Sequence, residues 1–135
     1  MYSLIIDVIV SLLLGSMVFF AVVVAPSAFR ALDAADAGKF LRMVFPRYYL
    51  WGIVLSVLAL AVCLFHSPKG AVLMALVLAG FVYSRQVLVP AINNARDRWH
   101  ESESAQDKAV FSALHRRSVI INAAQMVMLV IIIIA

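Results

Sequence analysis

The chain has 135 residues, 65% of them hydrophobic and 13% charged, with a mean hydropathy of +1.03 and a formal net charge of +4. A soluble domain is nearer half apolar and a quarter charged, and a domain this small leaves much of its surface exposed. The composition therefore excludes an ordinary soluble domain and predicts one membrane-embedded domain over residues 1–135. Because the basic residues flank apolar stretches, we attribute the charge to membrane topology and expect no nucleic-acid partner.

Four apolar stretches are long enough to cross a bilayer, which takes roughly 20 helical residues. They predict transmembrane helices at about residues 3–25, 48–65, 71–93 and 118–135. Lipid offers no partners to open backbone groups, so each stretch must be helical. The predicted fold class is all-α, an integral membrane four-helix bundle surrounded by lipid. No basic segment precedes the first stretch, and Pro26 directly follows Ala25, so we expect a retained helix rather than a cleaved signal.

The connections predict further helical structure. Asp33 is placed to cap a short amphipathic helix over residues 34–45, which we expect to lie at the membrane surface and to end at Pro46. Ser104 followed by Asp107 resembles a capping box that begins the fourth helix early. Helices three and four are therefore expected to extend into the cytoplasm as a hairpin that turns near residues 101–104.

Helix two also carries signals for packing. Tyr48, Tyr49 and Trp51 at its start are typical of an aromatic belt that anchors a helix at the membrane interface. Gly52 and Ser56 are four residues apart, as are Gly80 and Ser84 on helix three. Small residues at this spacing favour close approach of membrane helices.

The basic residues are distributed unevenly over the loops. Four lie between helices one and two and five between helices three and four, but only Lys69 lies between helices two and three. Positively charged loops are retained in the cytoplasm. We therefore predict a bacterial inner-membrane protein with both long loops in the cytoplasm and both termini on the other side. The basic loops are also candidates for binding anionic lipid head groups.

Polar side chains inside the predicted spans are costly and therefore point to packing or function. Those on helix four are spaced 3, 4 and 3 residues apart, which places them on one face. Helix three offers polar groups nearby, and helices one and two each offer a serine at a similar depth. A structural alternative is that these groups only form hydrogen bonds between helices, and that the Arg85 side chain reaches the membrane surface. We expect a polar seam between helices three and four that opens to the cytoplasm. With the serines at similar depth, the candidate polar seam comprises Ser16, Ser56, Arg85, Gln86, Asn93, His115, Ser118, Asn122 and Gln125.

Signals for cofactor chemistry are weak. His66, His100 and His115 lie at different depths, so no pair in one protomer is placed to ligate a membrane haem. Asp97, His100 and Glu103 are close in sequence, but a solvated helix end explains them better than a metal site. The single cysteine has no partner, and no nucleotide-binding or hydrolase motif is present. We predict no cofactor, no metal and no catalytic residue, which leaves an enzymatic activity unsupported.

Several short motifs occur in an order that resembles a known family. They are the run Gly15–Phe20 leading to Pro26, the run Phe45–Tyr49, the run Leu88–Ile92 followed by Asp97, and Leu114-His115 followed by Ser118 and Asn122. Over nearly its whole length the chain resembles the transmembrane protein 205 type family, domain of unknown function 4149. The resemblance implies a four-helix integral membrane protein without an established activity. It also implies distant similarity to copper-resistance membrane proteins. The positions that match the family motifs are Pro26, Phe45, Pro46, Tyr48, Tyr49, Pro90, Asp97, His115, Ser118 and Asn122.

Three functions remain open from the sequence. The first is a small transport or efflux-type module that uses the polar seam. It would act as a homo-oligomer, because one four-helix protomer has little room for a pore. The second is an accessory or scaffold subunit of a membrane complex. The third is a haem or metal redox protein. We rank them in this order.

Overall fold

The computed structural model describes the backbone of residues 1–135 and every side chain except that of Tyr2. The described chain is almost entirely helical, and each helix is long and apolar enough to cross a membrane. The predicted all-α four-helix membrane fold is therefore confirmed. The helices are α1 (Tyr2–Phe19, Phe20–Val24 and Ala25–Ala31), α2 (Ala34–His66), α3 (Pro68–Tyr83, Ser84–Leu88 and Val89–Ser102) and α4 (Ala105–Ile134). The middle segments of α1 and α3 are π-helical.

The connections between helices are short because side chains cap the helix starts. Asp33, Ser67 and Ser104 each accept a hydrogen bond from the backbone N–H three residues later, at 2.8 to 3.1 Å. Such caps satisfy N–H groups that the first helical turn leaves without partners. Glu103 adopts a positive φ of 52° directly after α3 and reverses the chain. The predicted caps at Asp33 and Ser104 and the predicted turn before α4 are confirmed.

The predicted helix end at Pro46 is wrong. Helix α2 continues from Ala34 to His66 with Pro46 inside it, so the expected surface helix and the second membrane helix are one element. Proline removes one backbone N–H and strains a helix. Here the Nε–H of Arg85 on α3 donates to the Pro46 carbonyl at 3.3 Å, and the rings of Phe45 and Tyr49 stack beside it at 5.9 Å. This contact joins α3 to α2 beside the proline, whereas the carbonyl that Pro46 leaves without its helical N–H partner is that of Arg42, four residues earlier.

Two other prolines follow the π-helical turns. Pro26 comes two residues after Phe20–Val24, and Pro90 comes two residues after Ser84–Leu88. In both turns the N–H directly before the proline donates to the carbonyl five residues earlier. A proline ring crowds the carbonyl four residues before it, and a wider turn accommodates that crowding without breaking the helix.

Two glycines lie at close contacts between helices. A Cβ added to Gly52 on α2 would lie 2.5 Å from the Phe81 ring of α3, and one added to Gly80 on α3 would lie 2.7 Å from the Gln125 amide of α4. The predicted close approach at Gly52 and Gly80 is confirmed. These contacts position α2, α3 and α4 around a shared core.

The two ends of the bundle differ in charge. The α1–α2 and α3–α4 connections lie at one end, which we call the basic end because it carries most of the lysines and arginines. There the Arg42 guanidinium of α2 pairs with the Asp97 carboxylate of α3 at 2.6 Å. Trp99 of α3 packs against Phe111 of α4 with ring centroids 5.6 Å apart. These contacts hold the α3–α4 hairpin against the start of α2.

Candidate ligand-binding cleft

Two adjoining cavities lie in the half of the bundle nearest the basic end. The inner cavity, of about 150 Å³, is lined by residues from all four helices. The outer cavity, of about 330 Å³, is lined mainly by α1 and α4. Their walls share Ala25, Phe29, Phe45, His115 and Ser118. We therefore treat them as one space and call it the α1–α4 cleft.

A small polar cluster lies at the inner wall of the α1–α4 cleft. The hydroxyls of Tyr49 and Ser118 share a hydrogen bond at 3.3 Å, and the Asn122 amide donates to the Tyr49 hydroxyl at 3.4 Å. Tyr49 is only 1% exposed and Ser118 only 7%. We call these three residues the Tyr49 cluster. It joins α2 to α4 and leaves the Asn122 carbonyl oxygen buried with no hydrogen-bond partner among the described residues.

Stacked aromatic rings form one wall of the cleft. Phe20 of α1 stacks on Tyr48 of α2 with centroids 4.4 Å apart, and Phe45 packs against Phe20 at 5.2 Å. Tyr48 in turn contacts Tyr49 at 5.1 Å. Such offset and tilted ring pairs are favourable and restrict side-chain motion. These ring contacts join α1 to α2 along this wall of the cleft.

The outer cavity opens on the side of the bundle. Phe29 on α1 is 59% exposed and Val119 on α4 is 53% exposed, and both line the outer cavity. Ala21 and Ala123 are also exposed lining residues. Since α1 and α4 are apolar membrane helices, this opening faces the region that lipid chains occupy.

Beside the inner cavity lies a second, polar depression of about 270 Å³. Its charged lining comprises Lys39 and Arg42 from α2 and Arg96 and Asp97 from α3. We call it the basic depression. Arg96 lines both the inner cavity and the basic depression, and its guanidinium carbon lies 5.4 Å from the centre of the Phe111 ring. Arg96 thus borders both the apolar space and the charged one.

Four residues of the candidate polar seam line the α1–α4 cleft. Asn93 and His115 border the inner cavity on α3 and α4, and Ser118 and Asn122 belong to the Tyr49 cluster. The structure therefore brings these four together with Tyr49 of α2, a residue outside the candidate polar seam.

Three other residues of the seam have separate environments. The Gln125 amide is buried and donates to the Val77 carbonyl of α3 at 2.8 Å, which joins α3 to α4 away from the cleft. Arg85 donates to the Pro46 carbonyl, and Gln86 is exposed. None of the three lines the inner or the outer cavity.

Two of the three serines of the seam, Ser16 and Ser56, also lie outside the cleft. The Ser16 hydroxyl donates to the Leu12 carbonyl at 2.7 Å and accepts from the Trp51 indole N–H at 3.1 Å. Ser56 is fully buried, and its hydroxyl has no hydrogen-bond partner among the described residues. It lies seven residues beyond Tyr49 on α2, roughly 10 Å farther from the basic end.

Tyr49 is the main residue that the predicted polar seam omitted; the sequence singled it out only as an aromatic-belt residue and as a position of the family motifs. The aromatic-belt interpretation is wrong for it, because the side chain is buried between helices and its hydroxyl joins α2 to α4. Trp51, which is 45% exposed, fits that interpretation better. A signal was present: Phe45, Tyr49, Gly52 and Ser56 are spaced 4, 3 and 4 residues apart, which places Tyr49 on the packed face of α2.

Ten positions were predicted from the resemblance to the family motifs, and seven of them line the cleft: Pro26, Phe45, Tyr48, Tyr49, His115, Ser118 and Asn122. Pro46 and Pro90 lie inside helices, where they influence backbone geometry. Asp97 pairs with Arg42 in the basic depression. The motif positions therefore gather around one space and its rim.

Metal coordination receives no support from the described side chains. No group of three or more His, Cys, Asp or Glu residues among them is placed to hold a metal ion. Asp97, His100 and Glu103 therefore do not form such a group. The one cysteine, Cys63, is buried, and its sulfur would lie 3.3 Å from a Cβ added to Gly70, far from the cleft.

The four apolar helices and their composition define a multi-pass membrane protein. A family model described as Domain of unknown function (DUF4149) matches residues 8–101, which is more than half of the chain. The chain therefore belongs to the DUF4149 family. Neither a curated protein nor a solved structure matches it.

Proposed function

We propose that this protein is a small transport or efflux-type module that binds an amphiphilic molecule in the α1–α4 cleft. The observation that carries the proposal is the cleft itself, an apolar space open to the side of the bundle with a polar cluster at its inner wall. Sites for small molecules are typically concave and mostly apolar, with a few polar groups that orient the ligand.

The lining of the cleft favours an amphiphile over an ion. An ion would lose its hydration among Phe29, Phe45 and Val119, and burying an unpaired charge is costly. An apolar chain would instead cover these side chains. At the inner wall, the unpaired carbonyl oxygen of Asn122 can accept a hydrogen bond from a donor on the ligand. The ligand would therefore combine an apolar body with a polar group.

The π-helical turn of α1 supports a site that changes shape. Phe20 and Ala21 belong to this turn and line the outer cavity. Single π-turns within α-helices occur frequently at functional sites. Rearrangement of this turn to a regular helix would rotate the end of α1 relative to its start. Such a rotation would widen or close the opening between α1 and α4.

The sidedness follows from charge. We place the basic end in the cytoplasm of a bacterial inner membrane and both termini on the other side, because positive loops are retained in the cytoplasm. A direct test uses single cysteines at each end in a Cys63→Ala background. On intact cells, a membrane-impermeant maleimide should label Lys69→Cys and not Glu103→Cys. Labelling of Glu103→Cys alone would reverse the orientation.

Transport across the whole bilayer points to an assembly. Along α1 and α4, the cleft is lined no farther from the basic end than Met17 and Met126. It therefore reaches only part of the way through one protomer. We propose that copies of the chain associate as a symmetric homo-oligomer, the usual form of assembly. Mass measurement of particles in a mild detergent should show a multiple of one chain.

The proposed function can be tested by movement of a lipid probe. Purified protein is reconstituted in phosphatidylcholine vesicles that contain a fluorescent single-chain lysophosphatidylcholine, and dithionite quenching reports transfer between leaflets. We expect faster transfer than in protein-free vesicles. Ala123→Phe fills the outer cavity and should abolish the acceleration. Ala124→Phe is the matched control, because Ala124 is a neighbour that is also exposed but does not line the cleft.

Two results would count against the proposed function. If lipid transfer is no faster than in protein-free vesicles, the protein does not transport this probe. If the Ala123→Phe and Ala124→Phe variants give equal transfer rates, the cleft is not the site of transport. A stable heterologous partner together with no transfer would instead identify an accessory subunit of a membrane complex.

A further inference from the structure

We infer that the molecule bound in the α1–α4 cleft is a single-chain amphiphile with a phosphate head group, which lies in the basic depression while the chain occupies the cleft. This inference rests on the proposed function and adds the substrate class. The observation behind it is that one residue, Arg96, lines both spaces. A ligand that extends past Arg96 would place its chain in the apolar cleft and its head group in the basic depression.

The position of Arg96 suits this arrangement. Its side chain lies over the first turns of α2, where a Cβ on Gly38 would be 3.7 Å from the Arg96 Cδ. On its other side, the guanidinium faces the Phe111 ring. The stem of the arginine therefore borders apolar surface while its donors remain at the edge of the cleft. A guanidinium presents paired donors that match the oxygens of a phosphate.

The remaining charges of the depression favour an anion. Lys39, Arg42 and Arg96 supply three positive charges to its lining, against one carboxylate from Asp97. Asp97 is paired with Arg42, and Lys39 pairs with Asp36 at 3.1 Å outside the lining. Both pairs are substantially exposed, so each interaction is weak and can be exchanged for a ligand oxygen. Arg96 forms neither of these ion pairs.

The start of α2 adds a second source of positive potential. Ala34 and Ala35, the first residues of this 33-residue helix, line the basic depression. Backbone N–H groups at a helix N-terminus carry partial positive charge and bind phosphate readily. The Asp33 carboxylate accepts from the N–H of Asp36, three residues along, and the Asp33 carbonyl accepts from the N–H of Ala37. The N-terminus of α2 thus adds positive potential to the basic depression, together with Arg96 and Lys39.

The position of the two spaces also suits an amphiphile in a bilayer. The depression lies among charged side chains at the basic end, where lipid head groups would be, and the outer cavity opens toward lipid chains. A single-chain phosphate could therefore enter from the side without moving its head through the apolar region, which would be costly. A cationic head would meet the repulsion of three basic residues.

The test compares three amphiphiles that share a twelve-carbon chain. Binding of dodecyl phosphate, dodecanol and dodecyltrimethylammonium to the purified full-length protein is measured by native mass spectrometry from a neutral detergent. We expect dodecyl phosphate to bind at least about tenfold more tightly than dodecanol, since charge-assisted hydrogen bonds stabilise only the phosphate. The trimethylammonium compound should bind most weakly. Inorganic phosphate at the same concentration should not displace the alkyl phosphate, because it lacks the chain.

Variants test whether the preference for phosphate over alcohol depends on the basic depression. Arg96→Gln should reduce the preference for phosphate over alcohol to below about threefold. Lys39→Gln, an exposed substitution with little risk to folding, should reduce it partly. Arg117→Gln is the matched control, because it removes the same charge from an exposed position that lines neither space.

The outcomes separate the two proposals. If none of the three compounds binds, or if Ala123→Phe leaves binding unchanged, the proposed function fails. If all bind and Ala123→Phe abolishes binding, but phosphate has no advantage over alcohol, the cleft stands and the head-group inference is overturned. The inference is also overturned if Arg117→Gln lowers the preference as much as Arg96→Gln does, or if inorganic phosphate displaces the alkyl phosphate.

Discussion

Gly52 on α2 and Phe81 on α3 pack so closely that a methyl group on the glycine would lie 2.5 Å from the phenylalanine ring. The ring is fully buried and cannot turn away into solvent. It also contacts Tyr49 with centroids 6.1 Å apart, so this glycine helps to position the tyrosine of the cleft. The close contact between α2 and α3 is therefore linked to the candidate site.

Gly52→Ala should destabilise the protein by about 1–3 kcal/mol, the usual result of overpacking a filled core. Gly15→Ala is the control, because a Cβ at Gly15 has no neighbour within 4 Å. There the helix preference of alanine should leave stability unchanged or raise it by up to about 1 kcal/mol. Equilibrium unfolding in mixed micelles, followed by circular dichroism, measures both. Equal stability of the two variants would contradict the described packing.

Tyr49→Phe should destabilise the protein by about 0.5–1.5 kcal/mol, because Ser118 and Asn122 lose the hydroxyl that joins them to α2. The ring packing is retained, so a larger loss is not expected. Tyr83→Phe removes a hydroxyl from a side chain that is 37% exposed and should have little effect. The same unfolding measurement applies. A neutral Tyr49→Phe variant would show that the Tyr49 cluster contributes nothing to helix association.

Ser56→Ala should leave stability unchanged within about 0.5 kcal/mol or raise it slightly. The buried Ser56 hydroxyl has no hydrogen-bond partner among the described residues, and removing such a group avoids its desolvation cost. Ser118→Ala, in contrast, removes a partner of Tyr49 and should be destabilising. If Ser56→Ala is the more harmful of the two, Ser56 has a hydrogen-bond partner that the described structure lacks.

Asp97→Asn should strengthen binding of dodecyl phosphate by about two- to fivefold. The substitution removes the one carboxylate from the lining of the basic depression and frees Arg42 to contact an anion. Stability should change by less than about 1 kcal/mol, since the Arg42–Asp97 pair is exposed. Native mass spectrometry with dodecyl phosphate and dodecanol measures the change. Stronger binding of dodecanol to the same extent would show that charge is not the cause.

Local sequence features predicted the elements of this fold well. The apolar stretches indicated four helices, and Asp33 and Ser104 indicated where two of them begin, because capping depends on residues only three positions apart. Pro46 shows the limit of such reasoning. Helix α2 continues through it, and the carbonyl of Pro46 accepts from Arg85, a residue 39 positions away that no local pattern indicates.

The candidate site was predicted less completely, for the same reason. Periodicity placed His115, Ser118 and Asn122 on one face of α4, but it could not show that the facing partner is Tyr49 of α2 rather than a residue of α3. Tyrosine at the start of a membrane helix fits both an interface anchor and a buried hydroxyl. The packing of Gly52 against Phe81 distinguishes the two, because it turns toward the core the face of α2 that carries Tyr49, Gly52 and Ser56.

The central claim is that the α1–α4 cleft holds an amphiphile, and photolabelling tests it most directly. A dodecyl phosphate that carries a diazirine on its chain is activated in the presence of the reconstituted protein, and labelled residues are identified by peptide mass spectrometry. We predict labelling at Phe29 and Val119 that excess unlabelled dodecyl phosphate suppresses. Val130 and Ile131 are exposed apolar residues of α4 outside the cleft and provide the background. Equal labelling of these positions, without suppression by the competitor, would contradict the account.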